Sequence, residues 1–146
     1  MPENHSIIAF DFGERRIGCA HGNAMIQIAH PLETITGKSN QEKFQKIQKI
    51  IQTWQPEKLV LGLPFQPDGT PSEITPLVRK FAHRLHRTFQ LPIYLVDERY
   101  SSAMAEELLK EAHVFGRKQK PVLDQVAAMA ILDSYFSGNF CETISE

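Results

Sequence analysis

The chain has 146 residues, of which 42% are hydrophobic and 23% are charged. That is the size and composition of one ordinary globular domain with a sizeable core. The formal net charge of −1 excludes no class of partner, because a basic binding face can exist on a neutral protein. The longest apolar runs are too short to span a membrane, and the N-terminus carries no export signal. Two cysteines form no disulfide framework, so we expect a cytoplasmic protein that does not contact a membrane.

The first third of the chain is predicted to be mainly β-structure. Residues 6–12 form an apolar run typical of a buried strand, and Gly13 follows it in a turn. The segments 16–22 and 25–29 are predicted to be the second and third strands. Three strands joined by short turns form an antiparallel meander.

Alternating helices and strands follow. Ser39 and Glu42 fit a capping box at the start of a helix that ends before Pro56. Residues 58–64 form a continuous apolar run, as expected of a buried parallel strand. The next helix begins at Thr70-Pro71 or at Thr75-Pro76, because both pairs offer a cap followed by proline.

The remaining segments complete an α/β chain. Residues 91–96 are predicted to be the last strand, 101–111 a helix, and 121–136 a final helix. The element order is therefore βββαβαβαα, a mixed five-stranded sheet flanked by helices. We expect one domain over 1–137 and a frayed C-terminal tail over 138–146.

Acidic residues stand at three places in the chain where a soluble fold does not need them. Asp11 lies inside the first apolar strand, Asp97 and Glu98 follow the last strand, and Asp124 lies near the start of the final helix. Side chains at the carboxyl ends of parallel strands gather at one edge of the sheet. Adjacent residues of a strand point to opposite faces, so we expect only one of Asp97 and Glu98 at that edge.

Each acidic residue taken alone also has a purely structural explanation. Asp11 could accept hydrogen bonds from the backbone of the following turn. Asp97 could cap the helix predicted over 101–111 or pair with Arg99, and Asp124 is favourable in a first helical turn. The functional interpretation is favoured for the set of three, because their element ends should face the same side.

Converging carboxylates indicate a divalent cation. Such groups repel one another and do not all ionise unless a cation lies between them. Carboxylate oxygens are ligands that Mg²⁺ and Mn²⁺ prefer, and two such ions can clamp the attacking and leaving oxygens of a phosphodiester. A metal site would explain why Asp11 stands in a buried strand.

Basic residues occur close to these carboxylates and on one helix face. Arg16 could pair with a carboxylate or reach a phosphate, and a solvated hairpin is an equal alternative. Arg84 belongs to a basic stripe that could follow a phosphate backbone, although a solvated face explains most of it. Arg117, Lys118 and Lys120 precede Asp124 and are candidates for holding a charged polymer.

The assembled motifs resemble the YqgF family, also called RuvX, of the RNase H-like superfamily. The similarity extends over nearly the whole domain and follows the family's order of motifs. Two features depart from the family's usual pattern: Tyr100 stands in place of leucine, and residues 21–23 stand in place of a more common acidic ending. The matching stretches are DFGERRIGCA at 11–20, LVLGLPFQPDGT at 59–70, RKFAHRL at 79–85, VDERYSS at 96–102 and LDQVAAMAIL at 123–132.

The resemblance implies a metal-dependent nuclease with an RNase H-like fold. Asp11, Glu98 and Asp124 would be both the catalytic residues and the ligands of two Mg²⁺ or Mn²⁺ ions. The implied substrate is precursor ribosomal RNA, cut at the 5′ end of the small-subunit sequence, with ribosomal particles as partners. Arg16, Arg84, Arg117, Lys118 and Lys120 would bind the nucleic acid.

Two other functions stay open at this point. One is a resolvase of four-way DNA junctions, which cuts two strands symmetrically and therefore requires a dimer. The other is a nucleic-acid-binding protein without catalysis. The chain offers no obvious dimer helix, so we expect a monomer or a weak dimer.

Overall fold

The computed structural model describes residues 5–98 and 120–145. In this part of the chain a six-stranded mixed sheet, with strand order β3-β2-β1-β4-β5-β6, is flanked by helices. The predicted α/β class is confirmed, and the predicted count of five strands is wrong by one. The strands are β1 (Ser6–Phe12), β2 (Arg16–Asn23), β3 (Ile28–Thr36), β4 (Lys58–Leu63), β5 (Ile93–Asp97) and β6 (Phe140–Ile144). The helices are α1 (Asn40–Trp54), α2 (Thr75–Phe89) and α3 (Lys120–Phe136).

The additional strand lies in the segment that was expected to be a frayed tail. β6 pairs antiparallel with β5, with Ile93 opposite Ile144. Arg79 of α2 also binds Glu142 of β6. The C-terminal segment is therefore an edge strand of the sheet, and that expectation is corrected.

β3 begins later than the sequence predicted. Met25 and Ile26, which were assigned to the third strand, lie in the exposed turn after β2. The backbone amides of both residues donate to Asn23 Oδ1. β3 includes Pro31, which its edge position tolerates because only one side of the strand must pair.

The helix starts follow from local chemistry. Ser39 Oγ accepts from the backbone amide of Glu42 at 3.1 Å and caps α1, as predicted. α2 begins at Thr75, the second of the two predicted starts. Its cap residue is Ile74, which makes no side-chain cap bond, while Thr75 Oγ1 donates to the backbone carbonyl of Pro64. The helix predicted over 101–111 lies outside the described residues.

The sheet separates two apolar clusters. One face packs large aliphatic and aromatic side chains against α1 and α2, including Phe10, Leu59 and Leu61. The other face packs smaller side chains, such as Ala9 and Val60, against α3. Successive side chains of β1 therefore belong to different clusters, as strand geometry requires. No helix within the described ranges is long and apolar enough to cross a membrane.

Candidate active site

Asp11 lies at the carboxyl end of β1 on the face that packs against α3. Ile7 and Ala9, which share its face by alternation, belong to the cluster around α3. β1 occupies the middle of the sheet, with β2 antiparallel on one side and β4 parallel on the other. A central strand end is a rigid place from which to present a carboxylate.

Glu98, and not Asp97, reaches Asp11. Asp97 is the last residue of β5 and is buried, and it continues the alternation of Ile93 and Leu95 towards the α1 and α2 side. Glu98 follows on the opposite face, where its carboxyl group forms a hydrogen bond with Asp11. The structure therefore places Glu98, rather than Asp97, beside Asp11.

A glycine in β4 makes this contact possible. β4 lies between β1 and β5 in the sheet, so Glu98 must extend across it to meet Asp11. Gly62 occupies the crossing point on β4. An added Cβ there would lie 3.1 Å from Glu98 Oε1 and 2.6 Å from Ile131 Cδ1. The absence of a side chain therefore opens the path of Glu98 and lets α3 pack closely.

Asp124 is brought to the same edge by the close packing of α3 on β2. A Cβ at Gly18 would overlap the backbone carbonyl of Asp124, and Gly18 is the residue paired with Asp11 across β1 and β2. Ala128 and Ile131 of α3 are fully buried against the sheet. The first turns of α3 are thus held beside the end of β1.

Arg16 holds the Asp124 carboxylate. Its Nε donates to Asp124 Oδ2 at 2.7 Å, joining residues that lie 108 positions apart in the chain. Both side chains are partly exposed. Arg16 begins β2 and therefore stands at the same edge of the sheet as Asp11. A guanidinium has five donors, so this contact leaves others available to a further acceptor.

The three carboxylates interact electrostatically. The pKa of Asp11 is raised from 3.8 to about 9, chiefly by burial and in addition by the hydrogen bond with Glu98 and the charges of Glu98 and Asp124. A hydrogen bond between two carboxyl groups requires one proton, and the raised pKa assigns that proton to Asp11. Without a cation, this edge of the sheet therefore holds a neutral Asp11 at pH 7.

The chemical type of these groups fits a hard divalent cation. All three offer carboxylate oxygens, and a cation between them would offset both the burial and the repulsion that keep Asp11 protonated. Among residues 5–98 and 120–145, no three His, Cys, Asp or Glu side chains are arranged so that they could bind a metal ion without moving. The Asp124 carboxylate is turned to Arg16. Binding an ion would therefore require small side-chain movements and the loss of a proton.

A scan against family models matches residues 5–138 to the model described as RuvX: Holliday junction resolvase. The chain belongs to the RuvX family. This confirms the resemblance drawn from the sequence motifs. The match includes Asp11, Glu98 and Asp124, and it ends within the segment between α3 and β6.

Two curated relatives of this RuvX family member share one name. A Neisseria meningitidis protein is 58% identical over 135 residues, which are 92% of this chain and 89% of the relative. A Chromobacterium violaceum protein is 56% identical over 130 residues, 88% of this chain and 95% of the relative. Both are named "Putative pre-16S rRNA nuclease".

A solved structure has the same fold. Thermus thermophilus RuvC in complex with a Holliday junction substrate aligns with a TM-score of 0.56 at 12% sequence identity. The alignment covers 92% of this chain and 95% of the RuvC chain. The agreement confirms the predicted RNase H-like architecture.

The basic residues predicted to bind nucleic acid do not all lie at the carboxylates. Arg16 does, through Asp124. Arg84 lies on α2, on the other face of the sheet, with its guanidinium 3.9 Å from the centre of the Phe44 ring. Lys120 is the first residue of α3. Arg117 and Lys118 lie outside the described residues.

Sequence reasoning missed the two glycines that shape this site. Gly18 and Gly62 each interrupt an apolar strand, in RIGCAHG and in KLVLGL. A glycine inside a strand signals the close approach of another chain segment, so the signal was available. The glycines alone do not indicate that the segment packing against them is α3.

Proposed function

We propose that this RuvX family member is a metal-dependent nuclease that processes the 5′ end of the small-subunit ribosomal RNA precursor. One observation carries the proposal: Asp11, Glu98 and Asp124, from three separate elements, interact at one edge of the sheet. The names of the curated relatives support the choice of RNA. We further propose that the protein acts in the cytoplasm on ribosomal particles, as a monomer or a weak dimer.

Asp11, Glu98 and Asp124 would hold two Mg²⁺ or Mn²⁺ ions. When bound, such ions supply Lewis-acid stabilisation of the charge that develops on a phosphodiester under attack. Asp11 must release its proton to act as a ligand, because its folded pKa is raised to about 9. Glu98 reaches Asp11 across Gly62, where no side chain stands in its path.

Arg16 would orient Asp124 and contact the substrate. Its Nε bond to Asp124 Oδ2 fixes the direction of that carboxylate. Its exposed donors would meet a phosphate at the same edge. We propose that Arg117, Lys118 and Lys120 bind the strand as it passes the start of α3.

A cleavage assay tests this proposal. Labelled single-stranded ribosomal leader RNA is incubated with wild-type protein and Mg²⁺ or Mn²⁺, beside the Asp11→Asn variant. Asp133→Asn is a matched control, because Asp133 is a partly buried aspartate further along α3 whose pKa is also raised by burial. We expect cutting by wild type and Asp133→Asn, and none by Asp11→Asn. Equal cutting by Asp11→Asn would remove Asp11 from the site.

A second candidate is a resolvase of four-way DNA junctions. The description of the matching family model favours it. A labelled junction in the same assay separates the two candidates, because a resolvase would cut it symmetrically and leave the RNA intact. If neither nucleic acid is cut while both are bound, a binding protein without catalysis becomes the better description.

A further inference from the structure

An open pocket lies on the other face of the sheet from the carboxylates. Its volume is about 200 Å³, and it is enclosed by the end of β1, the first turns of α1 and the middle of α2. Phe12, the residue after Asp11, lines it, and so does Glu14 in the turn between β1 and β2. The pocket therefore opens at the same edge of the sheet as Asp11.

The floor and walls of the pocket are aromatic and aliphatic. The rings of Phe12 and Phe81 lie 4.9 Å apart, and Phe44 meets Phe81 edge to face at 5.7 Å. Leu77, which is 42% exposed, completes the apolar lining on the α2 side. Pockets for drug-sized ligands measure about 300–1,000 Å³, so this cavity suits a single flat group and not a whole cofactor.

Three cations surround this apolar surface. Lys43 is only 8% exposed, and its Nζ donates to the backbone carbonyl of Glu14 at 2.6 Å. The Arg84 guanidinium lies over the Phe44 ring, and Lys80 is exposed beside it. The ion pairs in the described part of the chain involve none of these three residues. Against the single carboxylate of Glu14, the lining therefore carries an excess of positive charge.

Flat apolar walls surrounded by cations are the chemistry that binds single-stranded nucleic acid. Bases stack on aromatic rings and guanidinium planes, while lysine and arginine bind the backbone. The Arg84–Phe44 contact holds a guanidinium plane in place before any ligand arrives. Because Phe12 follows Asp11 directly, a strand with a phosphodiester at Asp11 needs only to cross the β1–β2 turn to reach this pocket.

We propose that this pocket binds one nucleotide of the RNA substrate, close along the strand to the bond that is cut. The base packs on the apolar surface formed by Phe12, Phe81 and Leu77, and the adjoining phosphate meets Lys80 and Arg84. This inference rests on the proposed function and adds to it a second contact point on the opposite face of the sheet. It gives Arg84 a role in binding a flanking nucleotide rather than the scissile phosphate.

Two charge-reversal variants separate the pocket from general electrostatic attraction. Lys80→Glu changes the pocket mouth, and Lys49→Glu makes the same change on an exposed position of α1 that does not line the pocket. Both positions are exposed, so both variants should fold, which a thermal melt verifies. Binding of a short labelled oligoribonucleotide is measured by fluorescence anisotropy in the presence of a chelator. We expect Lys80→Glu to weaken binding about tenfold and Lys49→Glu to change it little.

A set of oligoribonucleotides, each with one abasic nucleotide, tests for the base. In wild type and Lys49→Glu, one abasic position should weaken binding about tenfold, because one stacked base is lost. In Lys80→Glu, an abasic nucleotide at the same place in the RNA should weaken binding no further. The pocket assignment would be overturned if Lys80→Glu and Lys49→Glu weakened RNA binding equally. It would also be overturned if the abasic nucleotide weakened binding to Lys80→Glu as much as binding to wild type.

Two further measurements separate the possible failures. Cleavage of the same oligonucleotides with Mg²⁺ tests the proposed function directly. If wild type cuts the RNA but neither Lys80→Glu nor any abasic nucleotide alters binding, only the pocket assignment is overturned. RNA that wild type neither binds nor cuts overturns both proposals. Nucleoside 5′-monophosphates are titrated in parallel, and binding as tight as that of the oligonucleotide would assign the pocket to a free nucleotide instead of the substrate strand.

Discussion

The two faces of the sheet are built from different side chains, and the difference separates stability from chemistry. The face towards α1 and α2 carries large residues, such as Phe10, Leu59 and Leu61. The face towards α3 carries Ala9, Gly18 and other small residues. Large side chains bury the most apolar surface. Small side chains let α3 approach the sheet until Asp124 lies beside Asp11. This face therefore buries less apolar surface but brings the carboxylates together.

The largest effect is expected at a carboxylate on the α3 face. Asp124→Asn should lower the cleavage rate by about a thousandfold, close to 4 kcal/mol of barrier, because the substituted group no longer supplies a charge. Its thermal stability should change little, since Asp124 is partly exposed. Initial rates and a thermal melt on the same preparation measure both quantities. If Asp124→Asn lost stability but kept its cleavage rate, the α3 face would serve stability rather than chemistry, contrary to this account.

The opposite result is expected on the α1 and α2 face. Leu59→Ala removes a fully buried side chain and should lower the free energy of unfolding by about 2–5 kcal/mol. The fraction that remains folded should cut RNA at the wild-type rate, because Leu59 points away from the carboxylates. Urea unfolding gives the stability, and rates are normalised to folded protein. A rate loss much greater than the unfolded fraction would show that the two faces are not separable.

Gly62→Ala should affect both properties at once. The added methyl group meets Ile131 Cδ1 at 2.6 Å and Glu98 Oε1 at 3.1 Å. Overpacking of this kind costs about 1–3 kcal/mol of stability. Displacement of Glu98 should also reduce Mn²⁺ affinity, which calorimetry measures. Wild-type Mn²⁺ affinity in this variant would show that Glu98 does not need the open path across β4.

The pH dependence of metal-free stability tests the raised pKa of Asp11. The unfolded chain loses this proton near pH 4, while the folded chain keeps it until about pH 9. The unfolded state therefore binds fewer protons across this window, and the contribution of Asp11 to the free energy of unfolding falls as pH rises through it. In the presence of a chelator, the free energy of unfolding of Asp11→Asn should be about 1–3 kcal/mol higher than that of wild type at pH 8. At pH 4 the two proteins should be equally stable. Parallel curves for the two proteins would contradict the raised pKa.

The smallest effect is expected at the start of α1. Ser39→Ala removes the cap bond to the Glu42 amide and should cost about 1 kcal/mol of stability without altering cleavage. Thr53→Ala, in the exposed last turn of the same helix, serves as the control. Equal stabilities of the two variants would show that the cap contributes nothing.

Most of the fold was predictable because the central elements have strong local signals. β1 was located from its apolar run and α1 from its capping box. The edge strands were less predictable, since each pairs on one side only and needs little apolar patterning: β3 was placed too early in the chain, and β6 was missed. β3 contains Pro31, and β6 contains the polar pair Glu142 and Thr143, so neither reads as a buried strand.

The acidic residues of the candidate site were predictable one by one, but their contacts were not. Alternation along β5 showed that only one of Asp97 and Glu98 could join Asp11. Choosing between them required the register of β5 against β4. The bond between Arg16 and Asp124 joins the second strand to the last helix. No local pattern encodes such a pairing, because it depends on how α3 docks on the sheet.

Calorimetric titration with Mn²⁺ is the most direct test that Asp11, Glu98 and Asp124 form one cation site. It is run at neutral pH in two buffers of different ionisation enthalpy, with wild type, Asp11→Asn and the Asp133→Asn control. The account predicts that wild type and Asp133→Asn bind Mn²⁺ with release of a proton, since Asp11 is neutral before binding. It predicts no binding at this site in Asp11→Asn. Equal Mn²⁺ affinity in wild type and Asp11→Asn, or binding without proton release, would contradict it.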